Sequence, residues 1–222
     1  MRPPGLLVSN DFPLAAWLAD PVHMAWLGDD VVVLDVAADR YTCIVDGSAL
    51  LRPGERPGAL RIATPALEDI SEAGWISAGP GAPRKPPVSP RTSLATPVSA
   101  QVYPAVMAGL AAWSDGRRLQ RLSLERMIGP SETPWPSDGA VETLPARVAT
   151  FMAALPWVPD QGQCLQRAYT LRRQLARRGL QVDWVFGVRT WPFMAHCWLQ
   201  LGNVVIADDV DRVRGFTPIM VV

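Results

Sequence analysis

Histidine is nearly missing from this chain: two residues, His23 and His196, among 222. Any chemistry that needs an imidazole has only those two sites. Cysteine is scarce as well. Cys43, Cys164 and Cys197 are odd in number and show no CxxC spacing, which argues against a disulfide framework or a structural zinc site. A charge of one sign is also lacking, with 21 Lys+Arg against 21 Asp+Glu. A net charge of zero gives no electrostatic reason to expect nucleic acid or an anionic membrane as partner. No window approaches the roughly 18–20 apolar residues that span a bilayer. The apolar stretch from Phe12 to Ala19 is broken by Pro13 and follows Asp11, so it does not read as a secretory signal. The expectation is a cytoplasmic protein with reduced thiols, no metal and no cofactor.

Apolar side chain, by contrast, is plentiful. Hydrophobic residues make up 49% and charged residues 19%, enough for a packed core. The length suits one ordinary domain with a small one attached. A proline-rich stretch, Gly79–Ser99, marks the join, with six of the 22 prolines. Prolines remove backbone donors and favour extended chain, so residues 79–99 read as a linker between domains at 1–78 and 100–222.

Before the linker, Val22–Leu27, Val31–Val36 and Tyr41–Val45 are strand-like runs separated by hairpin-sized polar intervals. A short helix from Pro65 to Ala73 follows, with Gly74 as its stop. This segment is of marginal size for a domain and holds no catalytic constellation, so binding is its expected use. Beyond the linker, Val102–Trp113, Leu144–Leu155 and Cys164–Arg178 show helical spacing, the last closed by Gly179. Strands at Val182–Val188, His196–Leu201 and Val204–Asp208 come next, the last two joined by Gly202-Asn203, a favoured two-residue turn. Helices first and a small antiparallel sheet afterwards make an α+β arrangement.

Cys164 sits where a helix should begin, after Asp160-Gln161-Gly162-Gln163. A helix N-terminus and a neighbouring imidazole both favour the thiolate; a buried structural cysteine is the other reading. Only His196 shares a domain with Cys164, so a catalytic Cys164 requires His196 as its base. Strand alternation puts His196, Trp198 and Gln200 on one face and Cys197 on the other, which makes Cys197 a core residue. A third group must fix the base's tautomer, and Asp208 and Asp209 at the end of the next strand are the candidates, with Asp211 beyond it. Gln161 or Gln163 could join the Cys164 N–H in an oxyanion hole. Arg172, Arg173, Arg177 and Arg178 read as a mostly solvated helix end.

The stretch Gln161–Leu201 carries Cys-Leu-x-Arg at Cys164–Arg167, Arg-Arg-Gly ending at Gly179, Gly-Val-Arg at Gly187–Arg189, and Pro-Phe-x-Ala-His-x-Trp at Pro192–Trp198. With these motifs it resembles the leader peptidases (B proteins) of lasso-peptide biosynthesis, which are transglutaminase-like cysteine peptidases. The resemblance implies a Cys–His–Asp triad on Cys164, His196 and Asp208. It also implies that the first domain is a PqqD-like module that holds the leader of a ribosomally made precursor peptide. The leader contacts would lie on Arg40, Tyr41 and Cys43 and on Leu67 and Ile70. The leader would add as a strand to the small sheet, the thiolate would cut it from the core peptide, and an ATP-dependent macrolactam synthetase would take the freed amine.

Two other functions use the same residues. A transglutaminase-like acyltransferase would pass the acyl group to an amine instead of water. A non-catalytic peptide-binding scaffold would leave the triad residues structural. Local geometry and the resemblance disagree about the aspartate. A regular hairpin at Gly202-Asn203 pairs His196 with Asp209, and opposed residues share a face. The resemblance points to Asp208, which needs a bulge or a three-residue loop to shift the parity by one.

Overall fold

In the computed structural model, residues 12–96, 102–129, 141–158 and 163–222 are described. The chain divides into two compact units between Arg84 and Lys85.

The first unit holds two sheets. Strand β1 is Leu14–Leu18; β2 (Val22–Leu27), β3 (Asp30–Asp35) and β4 (Arg40–Ile44) follow as an antiparallel meander in the order β2-β3-β4. These three lie within a residue of the expected runs. The second sheet was not expected. Short strands β5 (Leu51–Pro53), β6 (Ala59–Ile62) and β7 (Ile76–Ser77) join β1 in the order β5-β6-β1-β7. Helix α1, Leu67–Glu72, ends before Gly74, whose φ of 70° is the left-handed stop the sequence suggests. The core is built from Val31 and Val33 of β3, Leu51, Leu60 and Ile62 of the second sheet, and Ile70 and Trp75. Each such side chain, fully buried, contributes about 1.5–3 kcal/mol.

The second unit is a five-stranded sheet with helices, mixed as expected. Its helices are α2 (Val102–Leu119), α3 (Leu124–Ile128), α4 (Leu144–Ala154), α5 (Cys164–Ala176) and α6 (Val210–Val213). Its strands are β8 (Thr92–Ser93), β9 (Asp183–Arg189), β10 (Met194–Leu201), β11 (Val204–Ile206) and β12 (Thr217–Val221), ordered β12-β9-β10-β11-β8. Strands β9 and β10 are central and buried on both faces, which suits their near-continuous apolar runs. Helix α5 packs on β10, and α2 packs on α4 and α5.

Arg177 and Arg178 are exposed at the helix end as expected, but Arg173 and Arg177 also hold a buried carboxylate. The Asp115 carboxylate of α2, 3% exposed, takes two bonds from Arg177 at 2.7 and 2.9 Å and one from Arg173 Nε at 3.2 Å. Arg172 lies over the Trp184 ring. A carboxylate this buried needs such partners, and the clamp ties α5 to α2.

The proline-rich stretch differs from the bare linker its composition suggests. Within the first unit, the Ala82 N–H donates to Asp20, and the Arg84 guanidinium donates to the carbonyls of Val22 and Ala19. Within the second, Lys85 pairs with Asp183, and Gln200 Nε2 donates to the Val88 carbonyl at 2.8 Å. Thr92 and Ser93 run parallel to Val204 and Val205 as the edge strand β8. Prolines leave the intervening donors and acceptors free to be used in this way. Residues 97–99 of the stretch lie outside the described residues.

Candidate active site

Helix α5 starts at Cys164. Gln163, in extended conformation, is its N-cap, and the Gln163 carbonyl accepts the first helical bond from the Arg167 N–H. The sulfur is therefore carried at the positive end of a 13-residue helix, where a thiolate is favoured. It lies against the His196 imidazole and against both the thiol and the backbone N–H of Cys197. These contacts pull the Cys164 thiol down to about 4. Cys197 contributes most and His196 adds to it, while burial acts the other way.

His196 is 5% exposed and sits in an aromatic cradle. Trp198, two residues on along β10, stacks 6.1 Å away, and Phe216 lies at 5.2 Å. Opposite His196 in the sheet register is Gly187. A Cβ at Gly187 would come within 2.8 Å of Trp198 and 2.9 Å of Phe216, so only glycine lets the two rings close around the imidazole.

His196 Nε2 and Asp208 Oδ2 are 2.7 Å apart. With Nε2 engaged by the carboxylate, Nδ1 is the nitrogen left to exchange a proton with Cys164. Burial disfavours the imidazolium, but Asp208 and Cys164 outweigh it and hold His196 above its ordinary value. Burial likewise opposes ionisation of Asp208. Its bonds to His196 and the Asp209 N–H, with the nearby Arg167 charge, nonetheless keep its carboxyl below the usual range.

The disagreement between Asp208 and Asp209 is resolved in geometry at the strand end, not in the loop. The turn is a regular two-residue one: Leu201 pairs with Val204, Gln200 with Val205 and Leu199 with Ile206. Ala207 then takes a left-handed φ of 56° and breaks the alternation by one. Asp208 turns to His196, and Asp209 becomes the N-cap of α6, accepting from the N–H groups of Asp211 and Arg212. Asp211 is exposed and pairs with Arg214.

Cys197 requires a correction. It is buried, as the face argument implies, yet it also touches Cys164. The pairing of β10 with β11 covers only Leu199–Leu201, so among the described residues no strand pairs with that edge of β10 at Cys197. A sulfur placed at a strand edge meets a backbone N–H that alternation of side chains does not describe. The adjoining thiolate, with burial, pushes the Cys197 thiol up. Cys43 is likewise raised, by burial and by Asp30, so of the three thiols only Cys164 is lowered.

Gln163 is exposed, and its side chain makes no capping bond; Gln161 lies outside the described residues. Arg40, Tyr41 and Cys43 lie on β4, which pairs with β3 on one side and with no other strand among the described residues. Leu67 is half-buried against the first unit's core, but Ile70, 4% exposed, is inside it. Ile70 therefore supports that surface from beneath and does not line it. One residue that the sequence names only as part of the Cys-Leu-x-Arg motif, with no role in the site, is Arg167, whose guanidinium donates to Asp208 Oδ2 at 3.3 Å. Its signal was available: it stands three residues after Cys164 on one helix face.

Among the described residues no helix is long and apolar enough to cross a membrane, and no group of three His, Cys, Asp or Glu side chains could hold a metal ion. Such a constellation, a thiol at a helix start with an imidazole on a strand and a carboxylate just beyond the end of the next one, suits nucleophilic acyl chemistry.

Comparison with known proteins agrees with that chemistry. The chain is 42% identical over 48 residues to the Microcin J25-processing protein McjB of Escherichia coli, a match that covers 22% of this chain and 23% of that protein. No solved structure matches the chain. Residues 105–221 match the family described as the transglutaminase-like superfamily. That span includes most of the second unit and every residue of the site, and the chain belongs to this superfamily.

Proposed function

We propose that the chain is a cysteine peptidase that removes the leader from a ribosomally made lasso-peptide precursor, with Cys164 as nucleophile, His196 as acid–base and Asp208 as the group that orients it. The observation that carries the reading is the contact of the Cys164 sulfur with an imidazole whose far nitrogen is bonded to Asp208 at 2.7 Å. The partial likeness to a microcin-processing protein supports a precursor peptide as substrate.

The thiolate attacks the carbonyl carbon of the bond between leader and core. Imidazolium Nδ1 then passes its proton to the departing amine, leaving the leader as a thioester on Cys164. Water, deprotonated by the same nitrogen, hydrolyses the thioester. Asp208 stabilises the imidazolium that is present before acylation and forms again as water attacks the thioester. The Cys164 N–H, in a first helical turn whose donors have no intrahelical partner, is the candidate donor to the oxyanion, and Gln163 or Gln161 is the candidate for a second donor.

Under this reading the first unit is the PqqD-like leader holder. The edge of β4 that pairs with no other strand among the described residues accepts the leader as an added strand, with Arg40, Tyr41 and Cys43 on that strand and Leu67 of α1 as a further contact. The reaction takes place in the cytoplasm, and the freed core amine passes to an ATP-dependent macrolactam synthetase.

The test is mass spectrometry of the purified chain with the synthetic precursor encoded beside its gene. Release of an intact core peptide is expected. A product carrying an added amine would identify the acyltransferase instead. A Cys164 that iodoacetamide labels no faster than Cys43 or Cys197 would identify a scaffold.

A further inference from the structure

Asp208 stands where the sheet no longer holds the chain. Strand β11 ends at Ile206, and Ala207 is left-handed. No ladder bond fixes the carboxylate's height or direction, although its contact with His196 is as short as 2.7 Å. Asp208 Oδ1 accepts the Asp209 N–H at 2.9 Å. Oδ2 accepts two donors, His196 Nε2 and the Arg167 guanidinium at 3.3 Å. The Arg167 side chain is 26% exposed, against 6% for Asp208, so this pair is screened little from beneath and partly from above.

Arg167 lies on α5 one turn beyond Cys164, a rise of about 4.5 Å. The helix that presents the sulfur therefore also grips the carboxylate on the far side of the imidazole. We propose that Arg167 is a positioning residue: from the helix that carries Cys164 it holds Asp208 on His196, so that the thiol, the ring and the carboxylate keep one geometry. The inference rests on the peptidase reading of the same site and adds to it a group that touches neither substrate nor sulfur.

A charge in this place does more than hold. The guanidinium offsets part of the Asp208 field at the imidazole and adds a positive charge near the sulfur. Other charged or titrating groups around the ring are Cys197, beside the sulfur, and Arg189, whose guanidinium lies over Phe216. Without Arg167, His196 feels the full carboxylate and should titrate higher, and the thiolate loses a cation and should also titrate higher.

The test uses the full chain and two readouts. One is the NMR titration of the two histidines, in which His23 serves as an internal control. The other is the pH profile of Cys164 alkylation by iodoacetamide. Arg167→Gln should move both the His196 titration and the acid limb of Cys164 alkylation upward by about half a unit to one unit, with His23 unmoved. Arg167→Lys, which keeps the charge, should restore both to within about 0.3 unit. A folded Arg167→Gln chain with His196 and Cys164 titrating as in the wild type would overturn the proposal. So would a lysine variant displaced by a full unit, which also decides the matter if the glutamine variant does not fold. Failure of the wild-type chain to label Cys164 preferentially at pH 5.5 would instead count against the peptidase reading.

Discussion

The two units carry one histidine each, and both rings rest against a charged side chain. In the first unit, His23 Nδ1 lies 3.1 Å from Arg84 Nη1. Burial and the guanidinium lower it to about 4, so it is neutral at ordinary pH. In the second, Asp208 and the Cys164 sulfur raise His196 despite burial. The thiols divide in the same way, Cys43 raised beside Asp30 and Cys164 lowered to about 4. Burial is the first cause of the shift at His23 and Cys43, with Arg84 and Asp30 adding to it. At Cys164 and His196 the groups they bond outweigh burial, so the same residue types are inert in one unit and reactive in the other.

The sharpest way to break this comparison is to remove the thiols in turn. Cys164→Ala should abolish precursor cleavage while the chain stays folded, and Cys43→Ala, at the leader's edge strand but outside the reacting set, should leave kcat within about twofold. Mass spectrometry of timed digests measures both; appreciable cleavage by the first variant would place the nucleophile elsewhere.

Next in size is the carboxylate. Asp208→Asn should slow cleavage by on the order of 10²–10⁴-fold, since an amide cannot stabilise the imidazolium. Asp209→Asn should keep most activity and cost well under about 1 kcal/mol of stability, because asparagine also caps helices. Steady-state rates and melting curves on the two purified variants would expose a reversed ranking.

Cys197→Ala should have a moderate, pH-dependent effect. The backbone N–H facing Cys164 remains but the S–H is lost, so the acid limb of activity should move upward. The rate should fall several-fold near pH 5 and little near pH 8, where the thiolate is formed in either case. An equal loss at both pH values would mean that the thiol matters only for packing.

The smallest effect concerns stability. His23 is held below its unfolded value, so its contribution is complete above about 6.5 and is lost as pH falls toward about 4, with a slope of at most about 1.4 kcal/mol per pH unit. His196 is held above its unfolded value, and its contribution is complete below about 6.5 and lost as pH rises through its folded value. Denaturant titrations of His23→Gln should therefore show a flatter acid side and an unchanged alkaline side. A flattened alkaline side would mean that the two rings do not titrate with opposite sign.

Much of this site is legible in the residues, because a chain with two histidines leaves few arrangements to consider. Helix α5, strands β9 to β11, the Gly202-Asn203 turn and the left-handed stops at Gly74 and Gly179 all follow from local preferences that burial reinforces. What escapes is of another kind. The sheet of β1, β5, β6 and β7 is made of strands so short, one of them ending at Pro53, that no alternation accumulates. Counting along the hairpin favours Asp209 because nothing in the letter for Ala207 announces a positive φ, a conformation that alanine seldom takes. Arg167 and the Asp115 clamp depend on which helix faces which neighbour, and Cys197 on a strand edge that β11 does not reach. Those are properties of assembly, not of any local window.

Strand β8 has a consequence for how the molecule behaves in a crowded solution. An unpaired β11 would present a row of free donors and acceptors, to which another chain's strand could add. The two residues Thr92 and Ser93 occupy that row, and Pro86, Pro87 and Pro90 precede them in the same covering segment. Two residues are too few to template a further strand, and prolines have no N–H to offer one. The stretch whose composition suggests a spacer thus closes the β11 edge of the reactive sheet against unintended strand partners.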